Sequence, residues 1–150
     1  MKLLLLRHGQ SGGNVGLKGK DEFDNLTLRG VKQAEEAGGK LKKRKISAIY
    51  CSTAKRCEQT LDEILKVHDA MVPIHISRLI RPKMKKESWG KVQRRVKLFL
   101  ADLECETEET DTVVVISHLP IIKMFAYEIE GKTEFWENGE VKEIEIKKLL

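Results

Sequence analysis

Residues 3–9 read LLLLRHG, and the architecture of the chain can be worked out from this stretch. A short, continuous apolar run predicts a strand that is buried on both faces of a parallel sheet. Ligand sites of open α/β sheets lie at the carboxyl ends of the strands. The strand ends at Arg7 and His8, so a cation and an imidazole are expected at the edge of the sheet where a functional site would lie.

The rest of the chain alternates apolar strands with amphipathic helical stripes. Segments rich in Val, Ile and Leu predict strands at 46–51, 72–76 and 112–117. A helix capped by Thr27 is predicted to run to about Lys43. The residues expected to face inward from the four predicted helices are Leu28, Val31, Ala34 and Leu41, then Cys57, Leu61, Ile64 and Leu65, then Val92, Val96, Phe99 and Leu103, and finally Ile121, Ile122, Phe125 and Ile129.

The C-terminal segment predicts an antiparallel addition to the sheet. Residues 135–136 and 141–146 flank Asn138 and Gly139, and an Asn-Gly pair favours the two-residue turn of a β-hairpin. The whole pattern predicts an α/β fold with one domain over residues 1–150. Its expected form is a three-layer αβα sandwich with a mostly parallel sheet and a C-terminal β-hairpin.

Composition is that of an ordinary folded protein, with 41% of the 150 residues hydrophobic and 34% charged. The apolar run near the N-terminus is too short for a signal peptide or for a membrane span of roughly 20 residues, so a cytoplasmic location is expected. Cys51, Cys57 and Cys105 are odd in number and lack metal-ligand spacing. We therefore expect reduced cysteines, no metal and no cofactor.

Positive charge is concentrated in two runs, at 40–45 and 81–86, in a chain of net charge +5. The first run is interpreted as solvated surface. The second lies in a loop expected near the mouth of the site, where it could attract an anionic substrate or an acidic protein. A nucleic-acid partner is not expected, because aromatic residues make up only 5% of the chain and do not interleave with the lysines.

Several sequence blocks follow one another in a fixed order. They read RHGQSGGN at 7–14, LTLRG at 26–30, QA at 33–34, ISAIYCS at 46–52, Arg56 with QT at 59–60, and VVVISH at 113–118. In kind, order and spacing they resemble the histidine phosphatase superfamily, also called the phosphoglycerate-mutase-like family, over about residues 2–126. The resemblance implies the fold predicted above and chemistry on phosphate groups.

The resemblance also implies catalytic roles for four residues. His8 would be the nucleophile, whose neutral imidazole attacks phosphorus and forms a phosphohistidine that water hydrolyses. Arg7 and Arg56 would hold phosphate oxygens, because a guanidinium presents a planar fork of donors matched to phosphate. His118, at the end of a strand parallel to the first, would donate a hydrogen bond to the charge that develops on oxygen.

Other residues near these blocks are candidate contacts, and one expected residue is missing. Gly9, Ser11 and Asn14 are expected to contact phosphate or substrate, although Ser11 and Asn14 also suit a turn. Many family members carry a catalytic glutamate shortly after the third strand, and Arg81 stands in the corresponding place here, as a candidate phosphate contact. Glu87 could fold back as a substitute acid, or it could complement the dipole of the following helix.

Without a general acid, phosphohistidine, acyl phosphates and aryl phosphates are favoured as substrates, because their leaving groups need a proton less than an alkoxide does. A shortened loop predicts an uncapped pocket that admits a protein side chain, as in small members of the superfamily that act on phosphohistidine proteins. The sequence thus predicts a phosphoric monoester hydrolase of the histidine acid phosphatase type, acting through His8.

Its expected partners are a phosphorylated small molecule or a phosphohistidine protein, with no membrane and no nucleic acid. The chain is expected to be a monomer or a homodimer. Two alternatives are a cofactor-dependent phosphotransferase of the phosphoglycerate mutase type and a noncatalytic phosphate- or anion-binding module.

Overall fold

A central β-sheet organises the molecule in a computed structural model, which describes residues 1–16, 24–68 and 71–147. In these ranges the strands are β1 (Lys2–Arg7), β2 (Ala48–Ser52), β3 (Ile74–Ser77), β4 (Thr112–Ser117) and β5 (Val141–Glu145). The helices are α1 (Leu28–Leu41), α2 (Lys55–Val67), α3 (Trp89–Glu106) and α4 (Leu119–Glu130), with 3-10 turns at Gly13–Val15 and Arg78–Ile80.

The strands lie in the order β3-β2-β4-β1-β5, and all of them are parallel except β5, which runs antiparallel to β1. The leucines of β1 are at most 3% exposed, and residues 113–116 of β4 are fully buried. These runs are apolar because both faces of the sheet are covered. Arg7 pairs in register with Ser117, so β1 and β4 end side by side.

Helices cover both faces, which completes three layers. Alternate residues of β1 point to opposite sides, as the two-residue period of a strand requires. Leu3 and Leu5 pack in a core that includes the inward residues of α3 and α4. Leu4 and Leu6 pack in a second core with those of α1 and α2. The predicted α/β sandwich with a mostly parallel sheet is confirmed.

Helix α1 begins at a side-chain cap and packs closely against α2. The Thr27 hydroxyl accepts a hydrogen bond from the Gly30 backbone N–H at 3.1 Å, which makes Thr27 the predicted N-cap. Gly38 lets α1 approach α2 closely, since an added Cβ would lie 3.2 Å from Ile64 Cα. The helix ends at Leu41, slightly before the predicted boundary.

The prediction that Leu28 faces inward is wrong, because its side chain is 86% exposed. The buried stripe of α1 runs through Gly30, Ala34, Ala37 and Leu41. Leu28 lies two residues before Gly30, about 200° around the helix axis, and so points away from the sheet.

The C-terminal hairpin needs one correction. The predicted turn is present, with Gly139 at φ 77° and the Glu140 N–H donating to the Glu137 carbonyl at 3.0 Å. The strand that follows it, β5, pairs with β1 rather than with residues 135–136. Trp136 is instead buried, and its indole N–H donates to the Leu5 carbonyl at 3.0 Å. Pairing with β1 covers an edge that the sheet would otherwise expose.

Within the described residues, no helix is both long enough and apolar enough to cross a bilayer.

Candidate active site

A cavity of about 260 Å³ opens at the carboxyl edge of the sheet. It is lined by Arg7, His8, Ser11, Gly13, Asn14, Asp24, Arg56, Pro82, Lys83, His118, Leu119 and Pro120. The lining residues come from the end of β1 and the segment after it, from the loop that follows the 3-10 turn after β3, and from the starts of α2 and α4. Three distant parts of the sequence are brought together as expected, contributing Arg7 with His8, Arg56, and His118.

His8 is held in one orientation by its own neighbour. Its ring is 3% exposed, and Nδ1 lies 2.7 Å from the carbonyl oxygen of Gly9. A carbonyl only accepts, so Nδ1 carries the proton and Nε2 carries the lone pair. The Gly9 N–H in turn donates to the Thr60 hydroxyl at 3.1 Å, which fixes this corner of the loop.

Gly9 is required by close packing. A Cβ at this position would lie 2.4 Å from the carbonyl oxygen of Gly30, in the first turn of α1. The glycine therefore has a steric role where the loop after β1 meets α1, and it also supplies the carbonyl that orients His8. The prediction that Gly9 contacts phosphate stays a prediction.

Burial keeps the imidazole of His8 neutral. It lowers the pKa of His8 to about 3, an effect that Arg56 and Arg7 reinforce and that the Gly9 hydrogen bond and the Asp24 carboxylate oppose. A neutral imidazole with a lone pair on Nε2 is the form that attacks an electrophile.

His118 lies beside His8 at the start of α4. The two ring centroids are 5.2 Å apart and the ring planes are inclined by 60°. Nε2 of His118 is 2.8 Å from the Ser52 hydroxyl oxygen, which also accepts from the Ala54 N–H at 3.2 Å. Nε2 also lies 3.5 Å from Cys57 Sγ. When the Ser52 hydroxyl donates its proton to Nε2, the neutral ring carries its own proton on Nδ1.

Nδ1 of His118 is buried and has no hydrogen-bond partner among the described residues. Burial, together with the positive charge of His8 when protonated and of Arg56, lowers the pKa of His118 well below its ordinary value. A neutral, buried donor without a partner is costly unless a ligand completes it. An oxygen of a bound phosphoryl group would do so.

The two arginines of the cavity, Arg56 and Arg7, lie in different surroundings. Arg56 lies in the first turn of α2 and is only 7% exposed, although it is a charged residue. Arg7 donates from one terminal nitrogen to the Trp136 carbonyl at 2.8 Å, and its guanidinium carbon lies 5.7 Å from the centre of the Phe135 ring. Its Nε is buried without a hydrogen-bond partner among the described residues. Both arginines line the cavity.

The loop after β1 is closed by a carboxylate that the sequence analysis missed. Asp24 accepts from the Ser11 hydroxyl at 2.6 Å and from the Gly13 N–H at 2.8 Å. Asn14 Oδ1 accepts from the Ser11 N–H at 2.9 Å and from the Asn138 side chain at 3.2 Å. Ser11 and Asn14 therefore organise the loop, as the turn interpretation holds, and both line the cavity; their contact with phosphate or substrate stays a prediction.

Asp24 is separated from the block LTLRG by Asn25 alone, and this proximity is the signal of its role that the sequence contains. The sequence fixes the length of the segment between Ser11 and Asp24 but not the path that brings the two side chains together. Asp24 could be found only from the folded loop.

Glu87 and Arg81 lie outside the residues that line the cavity. Glu87 is paired with Arg95, whose Nε is 2.8 Å from one carboxylate oxygen, and with Arg81 at 3.3 Å. Hydrogen bonds from Arg95, and also from Arg81 and the Met84 N–H, lower the pKa of Glu87 to about 2 against the effect of burial. This placement gives no support to a proton donor or phosphate contact at either position. Lys83 lines the cavity instead.

Comparison with known proteins agrees with the blocks identified in the sequence. Residues 3–82 match the model of the histidine phosphatase superfamily, branch 1. The match covers more than half of the chain, which therefore belongs to this superfamily. The predicted family is confirmed.

Two proteins of Schizosaccharomyces pombe, each named as a probable phosphatase, are 35% identical to this chain over 82 and 85 residues. The aligned segments are 53% and 56% of this chain. They are only 28% and 40% of the respective relatives, so the chain matches less than half of each.

Solved structures show the same fold. The α-ribazole phosphatase of Shigella flexneri is 22% identical with a TM-score of 0.83, covering 98% of this chain and 91% of that one. The protein histidine phosphatase SixA, in complex with tungstate, is 24% identical with a TM-score of 0.75, covering 95% and 86%. A phosphoglycerate mutase of Bacillus anthracis is 17% identical with a TM-score of 0.84, covering 95% and 86%.

Proposed function

We propose that this protein is a phosphatase that hydrolyses phosphomonoesters or phosphohistidine through a phosphohistidine intermediate on His8. The observation that carries the proposal is the state of His8, a buried and neutral imidazole oriented through Nδ1 by the Gly9 carbonyl. It lies in a cavity with two arginines and a second histidine. The superfamily to which the chain belongs supports the same chemistry.

In the first step the Nε2 lone pair of His8 attacks phosphorus. A P–N bond forms while the P–O or P–N bond to the leaving group breaks, and the leaving group takes the bonding electrons. Arg7 and Arg56 face the negative charge that spreads over the phosphoryl oxygens. The Nδ1 proton of His118 is a further donor to one of those oxygens.

In the second step water attacks phosphorus and the P–N bond returns its electrons to His8. One proton of the water passes to bulk solvent, and inorganic phosphate leaves the cavity. The imidazole is then restored to the neutral state that burial favours.

The supply of protons limits which leaving groups depart readily. The Glu87 carboxylate is ion-paired with Arg95 and Arg81 and does not line the cavity. Asp24 is the carboxylate among the described residues that line the cavity, and both of its oxygens accept hydrogen bonds from the loop. Leaving groups that are stable without a proton, such as a phenolate or an imidazole, are therefore expected to react faster than alkoxides.

The test compares 4-nitrophenyl phosphate, a phosphohistidine peptide and 3-phosphoglycerate as substrates, without added metal. We expect turnover of the first two and its loss in His8→Ala. His75→Ala is the matched control, because His75 is an exposed histidine on β3 that stacks on Tyr50 outside the cavity.

Rapid hydrolysis of 3-phosphoglycerate would contradict the expected dependence on the leaving group. Binding of phosphate without turnover of any of the three substrates would favour the noncatalytic anion-binding alternative. Transfer of the phosphoryl group between glycerate positions would favour the mutase alternative.

A further inference from the structure

We propose that residues 82–89, here called the rim loop, form a docking surface for an acidic polypeptide segment next to the phosphorylated residue. The inference rests on the proposed phosphatase function and names its substrate class. A polypeptide is larger than the cavity of about 260 Å³, so the part beyond the phosphorylated side chain must lie on the rim.

The rim loop begins inside the cavity and continues onto the surface. Pro82 and Lys83 belong to the cavity lining. A β-turn follows, in which the Glu87 N–H donates to the Met84 carbonyl at 3.0 Å. The loop ends at Trp89, the first residue of α3. A chain that leaves the cavity on this side therefore meets the loop.

Ion pairs and hydrogen bonds that involve Glu87 and Arg95 hold the backbone of the rim loop in place. The Glu87 carboxylate accepts from Arg95 at 2.8 and 2.9 Å and from the Met84 N–H at 3.2 Å. Arg95 also donates to the carbonyls of Leu79 at 2.6 Å and Arg81 at 3.2 Å. A loop fixed in this way loses little conformational entropy when a partner binds.

The side chains that the loop presents combine positive charge with apolar surface. Trp89 is 55% exposed and Met84 is 51% exposed. The Lys83 ammonium lies 5.1 Å from the centre of the Trp89 ring, within the range of a cation–π contact. Lys85 and Lys86 are exposed at the turn.

The negative charge of Glu87 is compensated by its two arginines, so the outer surface of the loop stays positive. Aromatic, methionine and basic side chains together are typical of protein-binding surfaces. Their charge selects acidic residues in the partner.

The test measures binding of phosphotyrosine peptides to the His8→Ala protein, which retains the rim loop. Two peptides share the phosphotyrosine and differ in flanking residues, acidic in one and neutral in the other. We expect the acidic peptide to bind about tenfold more tightly at low salt, with a preference that falls as ionic strength rises. Binding is measured by tryptophan fluorescence. The emission of the exposed Trp89 is expected to change when a peptide binds, whereas the buried Trp136 should contribute a constant signal.

In Lys85→Glu/Lys86→Glu the preference for the acidic peptide is expected to disappear. Lys42→Glu/Lys43→Glu is the matched control, because these exposed lysines lie between α1 and β2, at the opposite edge of the sheet. Equal binding of both peptides to the His8→Ala protein with Lys85 and Lys86 intact would overturn the inference. Equal effects of the two charge reversals would overturn it as well. So would tighter binding of a single-stranded oligonucleotide that depends on Lys85 and Lys86.

Turnover of 4-nitrophenyl phosphate by proteins that retain His8 is measured in parallel, because this small substrate fits within the cavity, whose lining does not include Lys85 or Lys86. It should be equal with and without the Lys85→Glu/Lys86→Glu change. Loss of docking with retained turnover refutes the rim-loop inference alone. Absence of turnover in the unmodified protein refutes the proposed function, while the peptide binding still decides whether the loop docks acidic segments.

Discussion

At the scale of single residues, burial sets the charge of the two histidines in the cavity. His8 and His118 are each 3% exposed, and burial is the largest cause that lowers the pKa of both. The Gly9 carbonyl holds the proton of neutral His8 on Nδ1, which leaves the Nε2 lone pair that the proposed nucleophilic role requires. The same neutral state makes His118 a donor rather than a fixed positive charge.

Arg56 is predicted to act through the shape of its guanidinium as well as its charge. Arg56→Lys keeps the charge but loses the planar fork that matches two phosphate oxygens. We expect kcat/KM for 4-nitrophenyl phosphate to fall by about 10- to 100-fold, as loss of charged hydrogen bonds implies. Arg94→Lys, at an exposed position of α3, is the control and should leave kcat/KM unchanged.

Gly9→Ala tests the contact between the loop after β1 and helix α1. The added Cβ would lie 2.4 Å from the Gly30 carbonyl oxygen, so main chain must move and the orientation of His8 is lost with it. We expect a lower melting temperature and lower turnover. Gly39→Ala is the matched control, since nothing lies within 4 Å of its added Cβ, and a helical alanine should raise stability by about 0.5–1 kcal/mol. A Gly9→Ala protein as stable and active as the unmodified chain would contradict the contact.

At the scale of elements, the carboxyl ends of parallel strands determine most of the site. Arg7 and His8 follow β1 and His118 follows β4, and the two strands pair in register. A pattern of apolar runs is enough to predict this convergence, because parallel strands must end at the same edge. The sequence therefore predicted which residues meet on this edge.

Positions that depend on contacts between distant loops could not be predicted in the same way. Glu87 turns toward Arg95 of α3 instead of the cavity, and Asp24 reaches back to Ser11. Trp136 is buried beside β1, so that β5 rather than residues 135–136 forms the added strand. None of these contacts leaves a periodic signal in the sequence, because each depends on the path of a loop through space.

Glu87 is predicted to stabilise the rim loop and to take no part in proton transfer. Glu87→Gln removes the charge that Arg95 and Arg81 face, so we expect a loss of about 1–3 kcal/mol in the free energy of unfolding. Below the unfolding transition, turnover of 4-nitrophenyl phosphate should stay within about threefold of the unmodified protein, a margin well below the roughly 100-fold effect of losing a general acid. Urea denaturation and initial rates at one temperature measure the two effects separately. A larger loss for 3-phosphoglycerate than for the aryl phosphate would restore Glu87 as the acid.

At the scale of the whole molecule, the buried histidines make stability depend on pH. The pKa of His8 is about 3 in the folded protein against an ordinary value of 6.5. Between these values the unfolded chain binds more protons than the folded one, so the free energy of unfolding falls as pH decreases. Glu87 acts in the same direction at lower pH, between 4.5 and about 2.

We therefore predict that the urea midpoint decreases from pH 7 to pH 5, the range in which the histidines are the main cause. In His8→Gln the decrease over this range should be smaller, because one buried imidazole has been removed. An identical decrease in both proteins would mean that His8 is not held neutral by folding. Measurements below pH 4.5 report on Glu87 as well and are analysed separately.

The most direct test is to trap the covalent intermediate. The protein is mixed with an excess of 4-nitrophenyl phosphate, quenched in base during turnover because phosphohistidine hydrolyses in acid, and examined by peptide mass spectrometry. We predict a phosphoryl adduct on His8 that disappears once the substrate is exhausted, and no adduct in His8→Ala. An adduct on another residue, or full turnover by His8→Ala, would contradict His8 as the nucleophile.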